Sequence, residues 1–222
     1  MSRIARAVAA GYPHHILQRG NYSQTVFEED ADYRRYLGLF GECTAKFGLS
    51  IWAYCLMSDH VQYVCVPKDT DSLAKALNTL HMRYSQYFNG KKKRRGHLWQ
   101  GRFYSTILDD RHVLEAMRYD ETNPVRRGLV SEATAYPWSS ARRHALGVFD
   151  PILEDCCSII QAAGDWKTFL SAASDGELVE EIRRNMRTGR PCGDKEFVHK
   201  LEIQLNRSLT ARPRGRPRKI AA

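Results

Sequence analysis

The sequence predicts an α+β fold: a ferredoxin-like split βαβ antiparallel sheet with helices on one face, then a helical and a disordered basic C-terminal extension. Three observations predict it. Up to residue 108, strand-like and helix-like periodicities run in the order strand, helix, strand, strand, helix, strand. A third amphipathic helix follows, free to dock near the open face of the sheet. Beyond about residue 147 the strand signals stop.

Each element has its own local reason. "YPHHILQR" (12–19) reads as a strand ended by Gly20-Asn21. In "DADYRRYLGLFGECTAKFG", Tyr33, Leu37, Phe40, Cys43 and Phe47 recur at helical spacing; Asp30 is placed to cap this helix and Gly48 to stop it. "LSIWAYCLM" (49–57) and "HVQYVCV" (60–66) are β-rich runs parted by Ser58-Asp59, a hairpin signal. "DSLAKALNTLHMRYSQYF" carries Leu73, Leu77, Leu80, Tyr84 and Tyr87 on one stripe. The basic loop "NGKKKRRGH" leads to the fourth strand, "RFYSTIL" (102–108). "DDRHVLEAMRYDETN" is the third helix, capped by Asp109 or Asp110 and ended before Pro124. Past residue 147, "EDCCSIIQAAGDWKTFL", "DGELVEEIRRNMR" and "DKEFVHKLEIQL" read as short helices, the last with Phe197, Val198, Leu201 and Leu205 on one face. The patterns divide the chain into a main domain (1–147), a helical extension (148–206) and a basic tail (207–222). The stretch "SLTARPRGRPRKIAA" has no acidic residue and is expected to be disordered when free.

A chain of 222 residues, 43% of them hydrophobic, supports one core and an appendage but is thin for two full domains. The formal net charge of +9 points to a polyanionic partner, nucleic acid or a membrane surface; the plain alternative is a soluble basic protein. No apolar run reaches the roughly 18–20 residues that cross a bilayer, so no membrane span is expected. "MSRIARAVAAGYPHH" lacks the sustained apolar stretch of a signal peptide. The cysteines, Cys43, Cys55, Cys65, Cys156, Cys157 and Cys192, form no C-x-x-C pair; they read as reduced thiols of a cytoplasmic protein, not as zinc ligands.

Candidate chemistry sits in "CLMSDHVQYVCVP" (55–67). Alternation along a strand puts His60, Gln62 and Val64 on one face and Val61, Tyr63 and Cys65 on the other, the core side. An imidazole and a carboxamide oxygen at this spacing can hold one divalent ion and leave positions for phosphate oxygens and water, as magnesium or manganese prefers. Taken alone, the same pair reads as a turn histidine and an exposed strand polar. On the third helix, Glu115, Tyr119 and Asn123 fall one turn apart on one face. A tyrosine hydroxyl there can attack a phosphodiester, a bound metal can make so weak a nucleophile workable, and Asn123 can complete the metal shell. On periodicity alone Tyr119 reads as a tyrosine half-buried against the sheet, since the chain has 11 tyrosines.

Taken together and in order, "RIARAVAAGYPHHILQRGN", "YCLMSDHVQYVCVP", "RYSQYFN", "GHLWQGRFYS", "RYDETNPVRRGLV" and "YPWSS" resemble the single-tyrosine HUH transposases, specifically the REP-associated tyrosine transposase branch. The resemblance is dense over residues 1–145 and loose beyond. It implies metal ligands at His60 and Gln62, where the family has two histidines around a bulky apolar residue, here Val61. It implies a nucleophile at Tyr119, four residues before the Asn of Asn-Pro-Val, and a third ligand at Asn123. Gln62 departs from the family's histidine. A glutamine is a weaker, uncharged donor that favours hard ions, so weaker metal affinity follows and loss of activity does not.

Candidate DNA contacts surround these residues. "KKKRRGH" includes Lys91, Lys92, Lys93, Arg94 and Arg95, either a solvated loop or, beside Trp99, Arg102, Phe103 and Tyr104, a phosphate-tracking groove with stacking surfaces. Arg126 and Arg127 follow the nucleophile helix, and Arg19 ends the first strand at a family-matched position. His14 and His15 read as ordinary strand residues and Trp138 as packing. In "RPRGRPRK", Arg214 and Arg216 around Gly215 resemble an AT-hook, able to enter the minor groove of an A·T-rich duplex; the alternative is a generic basic tail. The resemblance thus implies a metal-dependent single-stranded DNA endonuclease and strand transferase acting on hairpins through a 5′-phosphotyrosine. The competing reading is a hairpin-binding regulator weakened by Gln62. An RNA-binding sheet of the RRM type fits the topology but leaves His60, Gln62, Tyr119 and Asn123 unexplained. Oligomeric state is left open.

Overall fold

The computed structural model describes residues 6–154 and 157–210. The expected sheet is present. Strands β1 (His14–Arg19), β2 (Leu49–Met57), β3 (His60–Pro67) and β4 (Tyr104–Ile107) lie in the order β2-β3-β1-β4, with every neighbouring pair antiparallel. The crossovers are helices α1 (Asp30–Phe47) and α2 (Ser72–Lys91), which cover one face. Ile16, Val61, Tyr63 and Cys65 point into that layer, against Tyr36, Phe40, Leu77 and Tyr84. Alternation along β3 therefore sends His60, Gln62 and Val64 to the opposite face, as the sequence reading requires.

That second face is not left bare. Helix α3 (Asp110–Glu121) packs Val113, Ala116 and Met117 against Ala53 and Val64. The one-turn helix α4 (Asn123–Arg126) follows, then α5 (Ala141–Leu146), α6 (Cys157–Ala162), α7 (Trp166–Ser171) and α8 (Gly176–Thr188). Trp166, Leu170, Ile182 and Met186 join the same apolar cluster, so the helical extension shares a core with the sheet. Helix α9 (Lys195–Leu205) packs Leu201, Phe197 and Val198 against Ala7, Ala9 and Ile107.

Local details refine the sequence reading. Two strands are shorter than expected, β1 starting at His14 and β4 at Tyr104. Asp30 does not cap α1; Glu29 does, and Asp32 accepts from the backbone N–H groups of Glu28 and Glu29. Gly48 ends α1 in the left-handed region at φ 62°, its N–H bonded to Thr44. The third helix does not run through Asn123. It ends at Glu121, and Asn123 opens α4, because Pro124 lacks the N–H that would bond back to the Asp120 carbonyl and continue the ladder. The Ser58-Asp59 turn is braced from outside: Ser58 O accepts from Val26 N–H at 2.7 Å and Asp59 O from Gly20 N–H at 2.7 Å. Gly20 is required there, since a Cβ would lie 2.2 Å from the Gln24 carbonyl oxygen. Trp138 does pack, stacked on Tyr33 at 4.6 Å. Cys43, Cys55, Cys65 and Cys192 are buried free thiols.

Two buried histidines make the fold acid-sensitive. Burial pulls the pKa of His14 down to about 4, against a hydrogen bond to Tyr12 O, and burial pulls His81 down to about 3. Both stay neutral in the fold while the unfolded chain takes up protons below about pH 6.5, so stability falls as pH drops through that range. Each histidine is expected to cost up to about 2 kcal/mol at pH 5. Urea unfolding at pH 7, 6 and 5 checks this: the loss should be smaller in His81→Gln than in the wild type, and equal slopes would show that His81 is not the group responsible.

Candidate active site

On the second face, two adjacent strands present a row of polar side chains. From β3 come His60 and Gln62. From β1 come His15, Leu17 and Arg19, with Leu17 opposite Gln62 and Arg19 opposite His60 in the register. Across from them, α3, α4 and the residue after it place Tyr119, Asn123, Arg126 and Arg127. Helix α8 closes a further side with Ile182, Arg183, Met186 and Arg187. With Tyr104, these residues line a cavity of about 650 Å³. Five of them are arginines and none is a carboxylate, so the cavity suits a polyanion.

Asn123 joins the two halves. Its Nδ2 donates to Gln62 Oε1 at 2.6 Å and to His60 Nε2 at 3.0 Å. Asp59 Oδ1 lies 2.6 Å from His60 Nδ1. That bond places the ring proton on Nδ1 and leaves the Nε2 lone pair facing the cavity. The same bond holds the Asp59 carboxyl below the usual carboxylate range, with burial opposing it. Two acceptor lone pairs thus converge on one point, now served by amide protons of Asn123, whose carboxamide oxygen exchanges with its nitrogen on rotation about the last bond. One imidazole nitrogen and two amide oxygens form a donor set that fits a hard divalent ion. No group of three His, Cys, Asp or Glu converges among the described residues, so any cation here depends on these amides.

Tyr119 is half-buried and open to the cavity. The Arg126 guanidinium lies over its ring at 4.0 Å, and that of Arg183 at 5.2 Å. Arg183 Nε donates to Tyr119 Oη at 3.4 Å, which with Glu180 pushes the Arg183 pKa up. His15 meets the Tyr119 ring edge to face at 6.3 Å.

The two residues after Tyr119 are buried carboxylates. Asp120 takes His15 Nε2 at 2.8 Å; burial pushes its carboxyl up, with His15 pulling it back. Glu121 accepts from Trp166 Nε1 at 2.8 Å, from His144 Nδ1 at 2.6 Å and from Ser140 Oγ.

The structure sorts the sequence candidates. His60, Gln62, Asn123, Tyr119, Arg19, Arg126 and Arg127 meet in one cavity. Glu115 does not; it pairs with Arg118, which stacks on Phe169. The basic loop also stands apart. Lys91 bonds Glu29 and Asp32, each at 2.7 Å, and Lys92 pairs with Glu28, so both knit α2 to the start of α1. Lys93, Arg94 and Arg95 are exposed, Arg94 lying over Phe88. Trp99 and Phe103, expected as stacking surfaces, are core residues instead. Arg102 borders a separate cleft of about 520 Å³ with Gln18, Asn21 and Asn78. Arg214 and Arg216 lie outside the described residues. Sequence reasoning missed His15, although strand alternation from Arg19 points to it, and it missed Asp59, although Asp59 directly precedes His60. It also missed Arg183 and Arg187, which no local pattern marks.

Comparisons with known proteins identify the family of this chain. Over 152 residues the chain is 26% identical to a Haemophilus influenzae protein named as a REP-associated tyrosine transposase; the match covers 60% of this chain and 86% of that one. The structure of a REP-associated tyrosine transposase bound to a REP hairpin shares the fold, with a TM-score of 0.55 and 17% identity over 70% of this chain and 92% of that one. Residues 9–123, more than half of the chain, match the family described as transposase, IS200-like, and the chain belongs to that family.

Proposed function

We propose that this transposase is a metal-dependent single-stranded DNA endonuclease and strand transferase that acts on DNA hairpins through a 5′-phosphotyrosine at Tyr119. The observation that carries the reading is the single cavity into which Tyr119, the His60–Gln62–Asn123 group and five arginines all open. Both halves come from one chain. The hairpin in the related structure supports a folded single strand as substrate.

A magnesium or manganese ion held by His60, Gln62 and Asn123 would polarise the scissile phosphate and offset the charge that develops on it. The chain's own residues do the rest. Asp59 keeps the His60 lone pair directed into the cavity. Tyr119 Oη is the nucleophile; it bonds to phosphorus while the 3′-oxygen leaves, so the strand stays on the protein as an ester. Ester exchange with another 3′-hydroxyl then rejoins the strand. Arg19, Arg126 and Arg127 hold flanking phosphates as charge-assisted donors. Lys93, Arg94, Arg95 and Arg102 extend the basic surface, and the tail around Arg214 and Arg216 adds a contact to A·T-rich duplex.

Gln62 supports a second reading, a hairpin-binding protein with too weak a metal site to cut. Covalent trapping separates the two. Single-stranded hairpins from palindromes flanking the gene are incubated with protein and manganese and run on a denaturing gel. The wild type is expected to form an adduct that Tyr119→Phe abolishes while still shifting the hairpin on a native gel. A Phe variant that still forms the adduct would remove Tyr119 from the mechanism. A native shift with no wild-type adduct would favour the binding protein.

The metal site has its own test. Manganese binding, followed by loss of the free-ion EPR signal, should weaken at least about tenfold in Asn123→Ala and Asp59→Asn and tighten in Gln62→His. Equal affinities in all four proteins would place the ion elsewhere.

A further inference from the structure

Helix α8 lies beyond residues 9–123, the segment that the family match covers, yet it supplies a group that touches the reacting atom. Its anchoring is firm. Asp175 caps it through the N–H groups of Glu177 and Leu178, and Gly189 ends it in the left-handed region. Ile182 and Met186 are buried in the cluster they share with α3. The residue directly after Ile182 is thereby held at the cavity rim. Arg183 occupies that position; its Nε reaches Tyr119 Oη at 3.4 Å, and Glu180 steadies the other end of its guanidinium. Arg187, one turn on, lines the same cavity. On the Arg126 side, a hydrogen bond to Thr122 Oγ1 at 2.6 Å fixes the guanidinium that covers the Tyr119 ring.

We propose that Arg183 is a catalytic residue: it faces the Tyr119 oxygen through the attack and then the phosphate of the covalent intermediate, while Arg126 holds the ring in place. This rests on the transferase reading of the site. In the step concerned, the phenolic proton passes to solvent as Oη bonds to phosphorus. The bond from phosphorus to the 3′-oxygen breaks, and that oxygen takes a proton back from solvent. One phosphate ester replaces another, with no net change in protons or oxidation state. Arg183 stays protonated throughout, so its role is electrostatic: negative charge gathers on an oxygen already within reach of its N–H. Arginine suits this place because its forked donors can hold Oη and a phosphate oxygen together. The arrangement makes the extension part of the enzyme's chemistry, because the sheet and α3 alone leave Tyr119 Oη without this donor.

The test measures single-turnover adduct formation by the full chain at saturating hairpin and manganese, with hairpin affinity measured separately by anisotropy. Arg183→Ala is expected to slow adduct formation at least about tenfold while changing affinity less than about threefold, and Arg183→Lys to recover part of the rate. Arg184→Ala, on the exposed side of the same helix, should react like the wild type, and matching thermal melts of all variants would show that α8 stays folded. An unchanged rate in Arg183→Ala overturns the proposal. So does a rate lost in Arg183→Lys and Arg184→Ala alike, which would mean a structural role only. If the wild type itself forms no adduct, the transferase reading has failed and this proposal falls with it.

Discussion

The site depends on how the end of α3 is held. Asp120 and Glu121 directly follow Tyr119, and both carboxylates are fully buried. An unpaired buried charge costs several kcal/mol, so such groups persist only with good partners. Here the partners come from separate parts of the chain. Asp120 binds His15 of the central strand. Glu121 binds Ser140 and His144 at α5 and Trp166 at α7. The last turn of α3 is therefore pinned to the sheet on one side and to the helical extension on the other. Tyr119 precedes these anchors and Asn123 follows them, so fixing the carboxylates fixes where the hydroxyl and the amide lie relative to His60 and Gln62.

Around this anchor the charge is strongly segregated. The carboxylates lie beneath the cavity, inside the packing, while the cavity wall carries only arginines as charged groups. A low-dielectric floor under a ring of guanidiniums concentrates positive potential where a phosphate would sit. Asp59 is the carboxylate closest to the amide and imidazole donors, and its hydrogen bond to His60 Nδ1 turns it into an orienting group. The helical extension closes the ring with Arg183 and Arg187. Without α8, the second face of the sheet would lose part of its apolar cover and part of its cationic wall.

Much of this was legible in the chain, for physical reasons that differ from place to place. The sheet and its crossing helices could be read because strand alternation and helical stripes are local, repeated signals. His60 and Gln62 could be placed on one face by the same alternation, and Tyr119 and Asn123 by helical spacing, even though Pro124 divides that helix before Asn123. The basic loop misled because charge in a sequence does not reveal its partner: Lys91 and Lys92 face the acidic start of α1, far earlier in the chain. Trp99 and Phe103 misled because an aromatic next to a basic run fits core and DNA contact equally well. Arg183 was invisible, since only tertiary packing of Ile182 and Met186 aims it at Tyr119.

The most direct test of the account is to locate the covalent bond. The trapped protein–DNA product is digested with nuclease and protease, and the modified peptide is sequenced by tandem mass spectrometry. The account predicts a nucleotide joined through its 5′-phosphate to Tyr119, with a free 3′-hydroxyl on the released strand. A nucleotide on another tyrosine, or a cut strand ending in a free 5′-phosphate with no protein-linked product, would contradict it.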